Sequence, residues 1–136
     1  MDDAQRAHCS ALGHLLEPTG AVISEMLPDA HDRLFAEVSH WPHAVAFALG
    51  AAIGRGDLAD RAIEFSGGGL RDTSRIAASS PELWAGILLD NADAVLESAE
   101  RYRDELARIV AAIERRDRAG LLESLETASR WRRRLG

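Results

Sequence analysis

Two short stretches concentrate the side chains that can do chemistry. In SHWPH, residues 39–43, His40 and His43 bracket Trp41 and Pro42, with Ser39 four positions before His43. Imidazole titrates near neutrality and can accept, donate or shuttle a proton. Two readings of the pair stand open: a helix cap or polar core niche, and the lining of a ligand site. In GGGLRDTSRIA, residues 67–77, three glycines allow close backbone approach and positive φ. Arg71, Asp72 and Arg75 follow, the two arginines four apart. A guanidinium held beside such a turn clamps a carboxylate through paired hydrogen bonds. A flexible connection followed by a surface Asp–Arg network is the competing reading. The pattern is neither the G-x-G-x-x-G of a dinucleotide site nor a P-loop. A third stretch, SSPELW at 79–84, sets Trp84 in the first turn of a helix, as core, interface or ligand wall. His8, His14 and His31 lack metal-ligand spacing with Cys9, so no metal site is expected.

The elements that must position these residues are helical. Alanine, leucine, arginine and glutamate dominate, and aromatics are only 5% of the chain, which favours an all-α domain over a β-rich one. A first helix is expected over residues 2–16, ended by Pro18 and Gly20. AVISEML, 21–27, is short, β-branched at Val22 and Ile23 and bounded by Gly20 and Pro28, which predicts one strand. A strand without a ladder partner implies a sheet supplied from elsewhere. PDAHDRLFAEV predicts a helix capped by Asp29, and Pro42 predicts a kink or fresh start that leaves His43 in the first turn of HAVAFALGAAIG. Ser80-Pro81-Glu82 is a strong helix start. One long helix is expected after it, with an apolar stripe of Trp84, Leu88, Val95, Tyr102, Leu106, Ile109 and Ile113. Opposite charges four apart line its outer face at Glu97/Arg101, Arg101/Glu105, Asp104/Arg108 and Glu114/Arg118. A last helix carries Leu121, Leu122, Leu125 and Trp131.

Composition bounds the function. The 136 residues suit one ordinary domain, 46% apolar and 28% charged, with a net charge of −6 that argues against a nucleic-acid or anionic-membrane binder. No apolar run approaches the roughly 18 residues of a membrane span. The single Cys9 fits a reducing compartment, and the acidic-polar start does not resemble a signal peptide, so cytoplasmic residence is expected.

Taken in order, HDRLFAEVSHWPHAVAFAL, GGGLRDTSRIAASSPELW and LLDNADAVL resemble the C-terminal helical domain of the prephenate dehydrogenases, a family that includes arogenate and cyclohexadienyl dehydrogenases. The resemblance runs from about Leu12 to about Leu122. It implies that residues 1–28 are the last helix and strand of a nucleotide-binding domain, and that 29–136 form a helical substrate-binding and dimerisation domain. It further implies a homodimer, an NAD or NADP cofactor in the full-length enzyme and none bound to this chain alone. Prephenate or arogenate would be the substrate, with no metal. Arg75 would hold a substrate carboxylate and His43 would line the same pocket, supported by Ser39 and His40. Gly68 and Asp72 would supply backbone contact and arginine positioning, and Trp84 would wall the pocket. No catalytic residue is expected in this chain, because the family's catalytic histidine and dinucleotide fingerprint belong to the nucleotide-binding side. Family members often carry leucine where Trp41 stands.

Three functions follow as competitors. The first is the substrate-binding and dimerisation part of a prephenate or arogenate dehydrogenase, inactive as this chain alone. The second is a free-standing, non-catalytic dimeric module that binds prephenate or tyrosine. The third is a structural helical dimer with a vestigial pocket. Dimerisation itself is expected because the long apolar stripe exceeds what so short a chain can cover.

Overall fold

The computed structural model describes residues 3–136, with side chains from residue 5 onward. Asp2, where the first helix was expected to begin, lies outside the described residues. The chain divides into two compact units, Met1–His31 and Asp32–Gly136.

In the first unit, α1 (Asp3–Leu16) ends in a 3-10 turn, Glu17–Thr19, closed by Gly20 at φ 74. Glycine is favoured there because a Cβ clashes in left-handed backbone. Thr19 Oγ1 donates to the Leu16 carbonyl at 2.6 Å and accepts from Ala21 N–H, which fixes the exit from the helix. The expected strand does not form. Residues 21–27 have neither strand nor helix, since a strand exists only through hydrogen bonds to a neighbour and none is present among the described residues. Ile23 instead lies near Gly13 of α1. Leu12, Leu15, Val22 and Leu27 stay exposed.

The second unit is helical throughout. After α2 (Pro28–Phe35) comes a π-helical turn, Ala36–His40, whose Trp41 N–H bonds back to the Ala36 carbonyl. α3 (Trp41–Gly54) starts directly after it. The π turn is how the chain accommodates Pro42: the wider turn carries the helix across the point where proline cannot donate. α4 (Ala59–Glu64) and α5 (Gly68–Ser74) follow, then a 3-10 turn, Arg75–Ala78. α3 packs on α4, α5, this 3-10 turn and α7. A Cβ at Gly50 would sit 4.0 Å from the Ala77 Cβ.

The single long helix expected after Ser80 is two helices, α6 (Pro81–Asp90) and α7 (Ala92–Glu114), broken at Asn91 (φ −114, ψ 34). Ser80 caps α6 through the Leu83 N–H. Arg116 at φ 53 turns the chain into α8 (Arg118–Arg132), capped by Asp117 and packed on α7. Among the described residues, none of the four expected charge pairs forms. Arg101 crosses to Glu37 before α3, Arg108 pairs with Glu105, and the 115–117 turn separates Glu114 from Arg118. Long side chains take whichever carboxylate the packing brings closest, and these exposed bridges contribute little.

The core is narrow. Among the described residues, its buried apolar side chains are Ala36, Ala46, Val95, Ala99 and Ala112, with Ser98 also buried, and no large side chain is fully buried. A compact monomer of 14.8 kDa exposes about 7000 Å² by size scaling; this chain exposes 10954 Å². Ile63, Phe65, Leu83, Leu89 and Leu96 are each at least 60% exposed.

Candidate functional site

Four elements bring the SHWPH histidines to one tryptophan. The π turn supplies Ser39 and His40, the first turn of α3 supplies His43, the first turn of α6 supplies Trp84, and the α6–α7 junction supplies Asn91. The His43 ring stacks on the Trp84 indole with centroids 3.5 Å apart and planes 17° apart. His40 meets the same indole edge-on at 6.3 Å, and the Phe35 ring lies 6.5 Å from His40, tilted by 42°. Offset and edge-to-face contacts between such rings are each worth about 0.5–1.5 kcal/mol, and they restrict the imidazoles to few orientations.

Hydrogen bonds fix the rings further. His43 Nδ1 lies 2.9 Å from the Ser39 carbonyl oxygen, which can only accept, so Nδ1 carries the proton. Nε2 of the neutral ring is therefore an acceptor, and it becomes a donor to an anion when the ring is protonated. Ser39 contributes its backbone carbonyl to this contact. Asn91 Nδ2 donates to the Asp32 carbonyl at 2.8 Å and lies 3.1 Å from His40 Nδ1. Asn91 was legible in sequence only as part of LLDNADAVL, and Phe35 only as an apolar helix position; neither was singled out.

The glycine–arginine stretch is placed differently from its expected form. Gly67 caps α5 in extended backbone, Gly68 and Gly69 are helical, and the positive-φ glycines among the described residues are Gly20 and Gly136. A Cβ at Gly67 or Gly69 would meet nothing within 4 Å, and at Gly68 only the Asp72 carboxylate at 4.0 Å. These glycines are not required by the chain's own backbone, and they leave open surface. The Asp–Arg network of the competing reading does not form among the described residues. Arg71 Nε donates to Ser66 Oγ at 3.2 Å, and Asp72 and Arg75 make no ion pair among the described residues. Arg75 is exposed, at the start of the 3-10 turn packed against α3. Gly68, Asp72 and Arg75 make no hydrogen bond or ring contact with the histidine–tryptophan cluster among the described residues. Trp41 turns away from that cluster to meet Tyr102 edge-on at 5.7 Å, and its buried Nε1–H has no partner among the described residues.

A groove of about 660 Å³ lies elsewhere, between α7 and α8, lined by Glu105, Arg108, Arg115, Glu123 and Thr127 and by none of the expected site residues. A more apolar groove of about 350 Å³ between α3, α4 and α5 is lined by Gly50, Ile53, Ala62, Ile63 and Leu70. No group of three His, Cys, Asp or Glu side chains that could hold a metal occurs among the described residues. Nor is any helix among them long and apolar enough to cross a membrane.

The second unit is thus an all-helical domain with a narrow alanine core and much exposed apolar surface; it carries a histidine–tryptophan cluster and an exposed Arg75 that makes no ion pair among the described residues. Residues 27–127 match the family described as "Prephenate dehydrogenase, dimerization domain", and the chain belongs to that family. It is 36% identical over 122 residues to a prephenate dehydrogenase of Bacillus subtilis (strain 168), covering 89% of this chain and 33% of that protein. It is 33% identical over 118 residues to a cyclohexadienyl dehydrogenase of Zymomonas mobilis, covering 85% of this chain and 40% of that protein. Among solved structures, prephenate dehydrogenase of Aquifex aeolicus in complex with hydroxyphenyl propionate and NAD+ superposes with a TM-score of 0.86 at 31% identity, over 96% of this chain and 46% of that one. Synechocystis arogenate dehydrogenase gives 0.83 at 31% identity, over 99% and 49%. The chain thus spans a third to a half of the length of the relatives it matches.

Proposed function

We propose that this chain is the substrate-binding and dimerisation part of a prephenate or arogenate dehydrogenase, acting in oxidative decarboxylation on the route to tyrosine. The observation that carries the reading is the His43–Trp84 stack with Nδ1 of His43 committed to Ser39, in a chain whose exposed Arg75 has no acidic partner among the described residues. Prephenate bears two carboxylates and a ring hydroxyl. Arg75 supplies a bidentate clamp for one carboxylate; His43 supplies a single directed ring nitrogen; Trp84 holds that ring in place. Asp72 and Gly68 serve arginine positioning and backbone contact, His40 and Ser39 support His43.

Oxidation of such a substrate needs a nicotinamide, which takes the hydride while carbon dioxide leaves and the ring becomes aromatic. The residues present do not fit a dinucleotide. No strand forms among the described residues, and Gly67–Gly69 open a seven-residue helix without a preceding strand. Hydride transfer is therefore not assigned to this chain's residues; NAD or NADP would be held by a nucleotide-binding domain. Residues 1–28 are its last helix and strand in this reading, with 29–136 the helical domain. The exposed apolar side chains of Leu12, Leu15 and Val22 support that, as residues 21–27 would join a sheet supplied from elsewhere. The protein works as a cytoplasmic homodimer, a state supported by the 10954 Å² of exposed surface.

A thermal-shift titration with prephenate tests the reading. Ligand at about one hundred times its dissociation constant adds roughly 2.7 kcal/mol to the folded state, a shift of several degrees. The shift is expected to vanish in Arg75→Ala and shrink in His43→Ala, both still folded. Equal shifts in all three proteins overturn the assignment of these residues.

A further inference from the structure

The geometry points to Asn91 as a positioning residue that sets the tautomer of His40. A backbone oxygen orients the amide. The Asp32 carbonyl accepts a hydrogen bond 2.8 Å from the Asn91 side chain, and because a carbonyl only accepts, the atom facing it is the amide nitrogen. That orientation leaves the same nitrogen's second hydrogen for His40 Nδ1, 3.1 Å away. An amide nitrogen cannot accept, so Nδ1 must, and the proton of the neutral His40 ring sits on Nε2. Two hydrogen bonds, neither local in sequence, thus carry a choice from a backbone carbonyl to a ring nitrogen.

His43 is set the opposite way. Its Nδ1–H is committed to the Ser39 carbonyl, so its Nε2 is a bare acceptor in the neutral ring. Both rings contact the Trp84 indole. Two neighbouring imidazoles on one tryptophan therefore differ at Nε2, one with a proton and one with a lone pair. On the substrate reading, a ligand that reaches both rings meets one donor and one acceptor, whereas two identical tautomers would duplicate one role. The location of Asn91 explains why α6 and α7 are separate helices: it is the residue at which they part, and its amide makes these two long-range bonds.

This assignment rests on the reading of the cluster as a substrate site for its functional consequence, but the tautomer itself is read independently. Long-range proton–nitrogen NMR on the 15N-labelled full chain at pH 8, where an ordinary imidazole is neutral, reports the protonated nitrogen of each ring. His40 is identified by its loss in His40→Asn. The expected pattern is a proton on Nε2 for His40 and on Nδ1 for His43. In Asn91→Asp, which keeps the shape but can only accept, the His40 proton moves to Nδ1 while His43 is unchanged; in Asn91→Leu, His40 becomes a mixture. A native His40 with its proton on Nδ1 overturns the assignment, whether or not either variant folds.

Prephenate affinity, measured calorimetrically on the same proteins, is the second readout. Asn91→Asp is expected to bind about tenfold more weakly, the worth of one misdirected hydrogen bond. A reversed tautomer with unchanged affinity overturns the positioning role. If the native chain binds no prephenate while the tautomers are as expected, the substrate reading fails and the tautomer assignment to Asn91 stands.

Discussion

Dilution should melt this protein. Among the described residues the core holds five buried apolar side chains, four of them alanine, and the exposed surface exceeds that of a compact monomer by about 4000 Å². Obligate subunit interfaces bury roughly 2000–5000 Å² counted over both partners, so an excess of this size on each chain is more than enough to supply one. Folding and association should then be one transition, a native dimer converting directly to two unfolded chains. Its midpoint depends on concentration by mass action. Unfolding entropy is about 2.1 cal/mol/K per residue, so two chains of 136 residues contribute about 570 cal/mol/K. Each tenfold dilution removes RT ln 10, about 1.5 kcal/mol near the midpoint, which lowers Tm by about 2.5 °C. Between 50 and 0.5 μM, a choice of range spanning two decades, the expected fall is about 5 °C. Differential scanning fluorimetry at several concentrations, with light scattering for mass, makes the measurement. A monomeric mass together with a Tm constant across that range would refute the reasoning, because the exposed apolar surface would then be tolerated by the isolated chain.

Other outcomes follow from single contacts. Asp117→Ala removes the α8 cap on the Gly120 N–H and should cost about 1 kcal/mol by denaturant titration. A Cβ at Gly120 would lie 2.5 Å from the Asp117 carboxylate, so Gly120→Ala should gain about 1 kcal/mol of helix propensity only in the Asp117→Ala background; additive effects would contradict the clash. Trp41→Phe should cost less than about 1 kcal/mol, because it keeps the edge contact to Tyr102 while removing a buried N–H that lacks a partner. The Glu82 carboxyl is held below its ordinary range by a backbone hydrogen bond and by the Ser80 hydroxyl. A depressed folded value means its contribution is present at neutral pH and is lost as pH falls through that lowered value. An NMR titration should therefore place Glu82 below the exposed glutamates, and Ser80→Ala should move it upward.

How much of this was legible depended on how far apart the deciding residues lie. Ser80-Pro81 declared its helix start because a cap and a proline act within one turn. Helical character was equally plain from composition and apolar spacing. The break at Asn91 was not, since it accompanies hydrogen bonds to Asp32 and His40, more than fifty residues away, while the apolar period runs through it undisturbed. Arg101 was read against its own helix and found Glu37 instead. Pro42 gave warning of an interruption without revealing that a π turn would absorb it. The glycines of 67–69 suggested left-handed backbone, yet two of them are helical, because glycine permits positive φ without demanding it. His43, His40 and Trp84 were each singled out for their chemistry; that they share one stack needed the fold.

The alanine core has a consequence for how assembled chains behave over time. A protomer whose own interior offers almost no large buried side chain has little to hold it together once its partner leaves. In a dimer built this way, partners are chosen once, when the chains fold. Two populations of preformed dimers, differently labelled and then mixed, would trade subunits no faster than they unfold, so a damaged protomer stays with its original mate until both come apart.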